Sequence, residues 1–158
     1  MRVSILTISD SVAAGKAEDR SGAALKERCR ELGWRIVSAA VRADDRPDIE
    51  AFLRETADSN DADVILTTGG TGLGPRDVTP EATQAVADRL IPGLPEQMRA
   101  AGAQKTRRAL LSRAAAGLRG KTMILNLPGS PRGAIESLDS IADLLEHAVS
   151  VINGARHD

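Results

Sequence analysis

The residues best suited to chemistry lie between Val64 and Thr83. Gly69, Gly70, Gly72 and Gly74 place four glycines within six residues, and Arg76 and Asp77 follow at once. Without a Cβ, such a loop lets its backbone approach a ligand closely, and its exposed N–H groups attract phosphate. Asp77 runs against that preference. A carboxylate repels phosphate unless a cation lies between them, and Mg²⁺ is the usual bridge to nucleotide phosphates. Asp44 or Asp45 offers a second oxygen ligand of the same kind. Taken alone, Asp77 reads also as a turn or capping residue, and Arg76 as either a surface residue or a planar fork for phosphate.

Two familiar phosphate loops are excluded by spacing. The nucleotide P-loop requires Gly-Lys-Ser/Thr after its spacer, whereas Gly74 is followed by Pro75 and Arg76. The dinucleotide fingerprint fails too, because Pro75 stands where its third glycine belongs. Gly120-Lys121-Thr122 lacks the upstream glycine, since Ala115 occupies that place, and it leads into a strand.

The elements around the loop must position it. Val64 to Leu66 reads as a buried strand, and Thr79-Pro80-Glu81 as a helix start with Thr79 at the N-cap. A loop from a strand's carboxyl end to a helix's amino end is where open α/β sheets bind ligands. A second stretch repeats the logic: the strand-like Thr122 to Leu127 leads through Pro128 and Gly129 into Ser130-Pro131 at another helix start. Such a sequence is also ordinary turn-and-cap chemistry, but its pairing with the first loop suggests two helix amino ends facing one crevice.

Elsewhere, strand and helix patterns alternate. Val3 to Ile8 and Trp34 to Val41 read as strands, the first ending in Ser9-Asp10-Ser11. Ala13 to Ser21 reads as a loop, with Ser21 capping a helix whose apolar face carries Leu25, Cys29 and Leu32. Ile49, Phe52, Leu53 and Ala57 trace another helix. Ala82, Ala85, Val86 and Leu90 mark the inner face of a helix closed by Pro92-Gly93, and Pro95 to Gly102 forms a shorter one. Ala114 to Leu118 and Thr122 to Leu127 suggest a hairpin, and Ile135 to Ile152 carries apolar residues at helical spacing up to Asn153. This pattern predicts an α/β protein: a three-layer α/β/α sandwich with a mostly parallel sheet and one antiparallel edge strand.

Composition narrows the function classes. The 158 residues are expected to form a single domain, 1–158, and the net charge of −1 gives no attraction to nucleic acid or anionic membranes. Trp34 and Phe52 are the only aromatics, so no platform for stacking bases exists. The lone Cys29 excludes an internal disulfide and reads as core. No apolar run reaches the length of a membrane span, and Met1 begins a strand directly, so no leader and a cytoplasmic location are expected. Lys105-Thr106-Arg107-Arg108 reads as a solvated cluster that is also able to meet an anion. His147 and His157 are read as non-catalytic.

The motifs resemble those of the molybdopterin adenylyltransferases, the Mog-type proteins and gephyrin G domain of molybdenum cofactor biosynthesis. The resemblance rests on Thr67 to Gly72, Pro75 to Thr83 and Asn126 to Ser130, with Thr7 to Ser11, Glu18 to Gly22, Leu111 to Arg113 and Gly120 to Thr122 in the same order. It implies the molybdopterin-binding fold and Mg²⁺-dependent transfer of AMP from ATP to the terminal phosphate of molybdopterin, releasing pyrophosphate. It also implies two aspartates as catalytic and metal-binding residues, one of them Asp77. The other falls in a Val-Pro-Asp-Asp/Glu motif that here reads Arg42-Ala43-Asp44-Asp45, which favours Asp44 and leaves Asp45 open. The resemblance further assigns binding of nucleotide and pterin to Thr68, Gly69, Gly70, Thr71 and Gly72, and to Leu127, Pro128, Gly129 and Ser130, with Ser9, Asp10, Ser11 and Ser112 nearby. A homotrimer, a downstream molybdate-insertion protein, and the alternatives of a Moa-type paralogue or a non-catalytic molybdopterin carrier follow from the same likeness.

Overall fold

A computed structural model describes residues 1–155. Its six-stranded sheet has the order β2-β1-β3-β6-β5-β4. β1 (Arg2–Ile8), β2 (Arg35–Arg42), β3 (Val64–Thr68) and β6 (Thr122–Leu127) run parallel. β5 (Ala116–Arg119) returns antiparallel to β6, and the two-residue β4 (Arg89–Leu90) flanks it at that edge. Gly120 sits at φ +57 in the tight connection between β5 and β6, a left-handed conformation that glycine adopts without strain.

Strand residues alternate between two cores, as a period of two requires. On one face, Val3, Ile5, Leu66 and Leu125 pack with Leu25 and Cys29 of α2 (Arg20–Glu31), Met98 of α5 (Gly93–Ala103), Leu138 of α6 (Pro131–Asp139) and Leu145 of α7 (Ala142–Ile152). On the other, Leu6, Ile8, Ile65 and Ile124 meet Ile49 and Leu53 of α3 (Arg46–Asp58), and Ala82 and Val86 of α4 (Thr79–Val86). The predicted three-layer arrangement follows directly. Leu66 is fully buried in the central strand β3, so Leu66→Ala would cost about 2–5 kcal/mol through lost burial and a residual cavity.

Local boundaries differ from the sequence expectation in several places. Asp10–Ala13 forms a short helix, α1, with Ser9 at its cap. Asp19, not Ser21, caps α2: its carboxylate accepts from the Gly22 amide at 2.9 Å and from the Thr7 hydroxyl at 2.9 Å. The helix from Thr79 stops at Val86, because the Asp88 and Ile91 amides leave it to donate to Leu118 and Ala116 at 2.8 Å each; Leu90 therefore lies in β4 and is exposed. The last helical run splits at Ser140, whose hydroxyl donates back to the Ser137 carbonyl at 2.7 Å before Ile141 turns out at φ −136.

Candidate active site

The carboxyl ends of the parallel strands open into one crevice that holds most of the predicted site residues. A cavity of about 400 Å³ is lined by Ser9 and Ser11 after β1, Asp44 after β2, Thr68, Gly69, Gly70 and Asp77 around β3, and Gly129 after β6. Across the glycine-rich loop lies a second cavity, of about 490 Å³, which takes Thr71, Gly72, Ser112, Pro128 and Ser130. Apolar Met98, Leu73 and Leu111 dominate its walls, with Arg99 and Arg108 among them. Asp10 and Leu127 line neither cavity: Asp10 pairs with Arg76, and Leu127 is buried in the core. His147 belongs to α7, away from both cavities, and His157 lies outside the described residues.

Long-range hydrogen bonds clamp the two loops together. The Thr68 hydroxyl donates to the Pro128 carbonyl at 2.7 Å, and the Gly69 amide donates to the Leu127 carbonyl at 3.1 Å. Gly69 adopts φ +103, and a Cβ there would overlap the Ile8 carbonyl oxygen, so this position requires glycine. Beneath the loops, the buried Asn126 amide donates to the hydroxyls of Thr67 at 3.0 Å and Thr83 at 2.8 Å, while its oxygen accepts from the Ala115 amide at 3.1 Å. One side chain thus ties β6 to β3, α4 and the approach to β5.

Thr79 departs from its expected part. The N-cap of α4 is Val78, with no side-chain cap bond, and the Thr79 hydroxyl turns inward to donate to the Gly69 carbonyl at 3.0 Å. Ser130 does cap α6, accepting from the Gly133 amide at 3.1 Å with Pro131 in the first turn.

The carboxylates are sorted by the start of α3. Asp45 is its N-cap, accepting from the Asp48 amide at 3.1 Å, and this frees Asp44 to face the cavity. Asp10 and Asp44 bind reciprocally: each backbone amide donates to the other's carboxylate at 3.0 Å. Arg76 lays its fork on Asp10 with two bonds of 2.9 Å, which holds the Asp10 carboxyl below the usual range. Asp77 accepts from the Gly74 amide at 2.9 Å. Burial pushes the Asp44 carboxyl above its ordinary range; the negative charges of Asp10 and Asp77 push the same way, against the Asp10 amide and Arg76.

These features coincide with the comparisons. A family model described as a probable molybdopterin binding domain matches residues 4–147. The chain belongs to this molybdopterin-binding family. A molybdopterin adenylyltransferase of Helicobacter pylori is 37% identical over 156 residues, covering 98% of this chain and 89% of that one. The Escherichia coli protein of the same name is 39% identical over 150 residues, covering 90% and 74%. The molybdopterin biosynthesis enzyme MoaB of Thermus thermophilus superimposes with a TM-score of 0.92 at 46% identity, each chain being covered to 99%.

In this member of the molybdopterin-binding family, the donor set fits a divalent cation shared with a substrate. Asp44 and Asp77 line one cavity and repel each other, a strain that a cation relieves. Among the described residues no three His, Cys, Asp or Glu side chains form a metal cluster, so the remaining oxygens would come from phosphate and water. Sequence reasoning did not assign functional parts to Thr79, Asn126, Arg99 or Arg113. For Arg113 the available signal was its place beside Ser112 in a motif already singled out.

Proposed function

We propose that the protein acts in molybdenum cofactor biosynthesis by transferring AMP from ATP to the terminal phosphate of molybdopterin. An oxygen of that phosphate forms a bond to the α-phosphorus of ATP, and the bond to the leaving pyrophosphate breaks with its electron pair departing on pyrophosphate. The attacking oxygen is already anionic, so no Ser, His or Cys base is required, and positioning with charge neutralisation supplies most of the catalysis. Asp44 and Asp77 would hold Mg²⁺, which would supply charge neutralisation at the transferred phosphate and the leaving group. Thr68, Gly69 and Gly70 present the loop backbone to phosphate in the acidic cavity, with Ser9, Ser11 and Gly129 on its rim; Thr71, Gly72, Ser112, Pro128 and Ser130 face the second substrate in the apolar one.

The observation that carries this reading is the meeting of two carboxylates and two glycine loops in one crevice, and the names of the curated relatives support it. The 46% identity to a MoaB structure favours a second reading within the family, a Moa-type paralogue, beside which stands a carrier that binds pterin without this turnover. Titration of the purified protein with molybdopterin, followed by Mg-ATP, separates the two. Pterin-dependent pyrophosphate release is expected; pterin binding without release supports the carrier. In this proposal the protein is a cytoplasmic homotrimer that hands its adenylylated product to a separate molybdate-insertion protein. Sedimentation at micromolar concentration checks the trimer, and a monomer there would refute it.

A further inference from the structure

Arg113 grips the glycine-rich loop at both ends. Its Nε donates to the Gly72 carbonyl at 2.8 Å and its Nη2 to the Asp77 carbonyl at 2.8 Å, while its own amide donates to the Thr71 carbonyl at 2.9 Å. The remaining nitrogen pairs with Glu81 in the first turn of α4. Between the two anchor points the loop is exposed, with Leu73 67% accessible. Along Leu73 to Pro75 the backbone bonds only within the loop, between Gly74 and Asp77, and the one other tether between the anchor points is the Arg76 side chain on Asp10.

We infer that Arg113 is a positioning residue for adenylyl transfer: its planar fork fixes the Asp77 backbone so that the Asp77 carboxylate meets Asp44 across the cavity. This inference rests on the proposed function. A guanidinium can serve two carbonyls and a carboxylate at once, whereas a lysine ammonium is a single point on a flexible stem. The ion pair alone would do little, since both side chains are about a third exposed (35% and 36%), and such pairs contribute only about 0–1 kcal/mol. Glu81 nonetheless feels its partner: burial pushes its carboxyl up, but the Arg113 hydrogen bond and charge bring it below the usual range. Ser112, the preceding residue, lines the apolar cavity, so Arg113 also joins the wall of one cavity to the acid of the other.

The test compares full-length wild type with Arg113→Lys and Glu81→Gln. Two readouts are taken: pterin-dependent pyrophosphate release across Mg²⁺ concentrations, and calorimetric binding of a non-hydrolysable ATP analogue with and without Mg²⁺. Arg113→Lys is expected to lower kcat at least about tenfold and to raise the half-saturating Mg²⁺ severalfold, because displacement of about 1 Å is enough for such a loss. Analogue binding without Mg²⁺ should stay within about twofold of wild type, whereas its Mg²⁺-dependent gain should shrink. Glu81→Gln keeps the fork on both carbonyls and should stay within about threefold of wild type in kcat. Wild-type kcat and Mg²⁺ dependence in Arg113→Lys would overturn the inference, as would an equal loss in Glu81→Gln. If Arg113→Lys does not fold, Arg113→Gln is judged by the same criteria. If wild type itself releases no pyrophosphate, the adenylyl-transfer reading fails, and the Mg²⁺-dependent analogue binding still decides for or against Arg113.

Discussion

The two strand-to-helix crossings that frame the crevice carry the same Ser/Thr-Pro signal and use it in opposite ways. At α6 the hydroxyl of Ser130 stays local and caps its own helix. At α4 the hydroxyl of Thr79 reaches back ten residues to the Gly69 carbonyl, and the helix starts without a side-chain cap. The amino end of α6 is therefore capped locally, while the loop before α4 depends on distant partners: Thr79 within the helix, Arg113 behind the loop and Asn126 beneath it. That dependence suits the crossing that carries Asp77, because the rest of the fold then determines where the carboxylate stands.

The sharpest way to test this asymmetry is to remove the charge that only one crossing bears. Asp77→Asn should reduce turnover by about 10²–10³-fold while leaving molybdopterin affinity near wild type, measured by pyrophosphate release and calorimetric titration. Unchanged turnover would show that the α4 crossing has no chemical advantage over the α6 one.

Stability comes next in size. Thr79→Val leaves the buried Gly69 carbonyl without the hydroxyl and should cost about 1–3 kcal/mol in chemical denaturation. Ser130→Ala removes an exposed cap and should cost about 1 kcal/mol. If Ser130→Ala proved the costlier, the distinction between a tertiary and a local role would fail.

The smallest effect expected on stability concerns Asp44. Its native pKa is raised, so the folded state holds the proton more tightly than the unfolded chain, and the stability contributed by protonated Asp44 is lost as pH rises through that raised value. Asp44→Asn should therefore flatten the stability profile in that window and leave the protein no less stable at neutral pH, although turnover is lost. Denaturation midpoints across the acid range check this; a variant that loses stability at neutral pH would contradict it.

Much of the layer order was legible because it depends on local periodicity. The apolar run of Val3–Ile8 marks a strand buried on both faces, and the helical spacing of Leu25 and Cys29 marks one inward face. What escaped depends on partners far along the chain. β4 forms only because β5 offers it the carbonyls of Ala116 and Leu118, so the apolar Leu90 looked helical. In the site, the glycine loops could be read from residue type, since few other functions need four glycines so close together. Asp44 and Asp45 could not be separated, because two adjacent acids differ only by which one caps α3. Arg113 stood in the Leu111 to Arg113 motif without a part of its own, because it binds backbone carbonyls at Gly72 and Asp77, and a carbonyl leaves no mark on residue type.

The most direct test of the account follows label from ATP in the presence of molybdopterin and Mg²⁺. With label in the α-phosphate, the account predicts a labelled pterin product; with label in the γ-phosphate, it predicts labelled pyrophosphate and an unlabelled pterin. Transfer of the γ-label to the pterin, or no transfer of either label, would contradict the assignment of AMP transfer to this crevice.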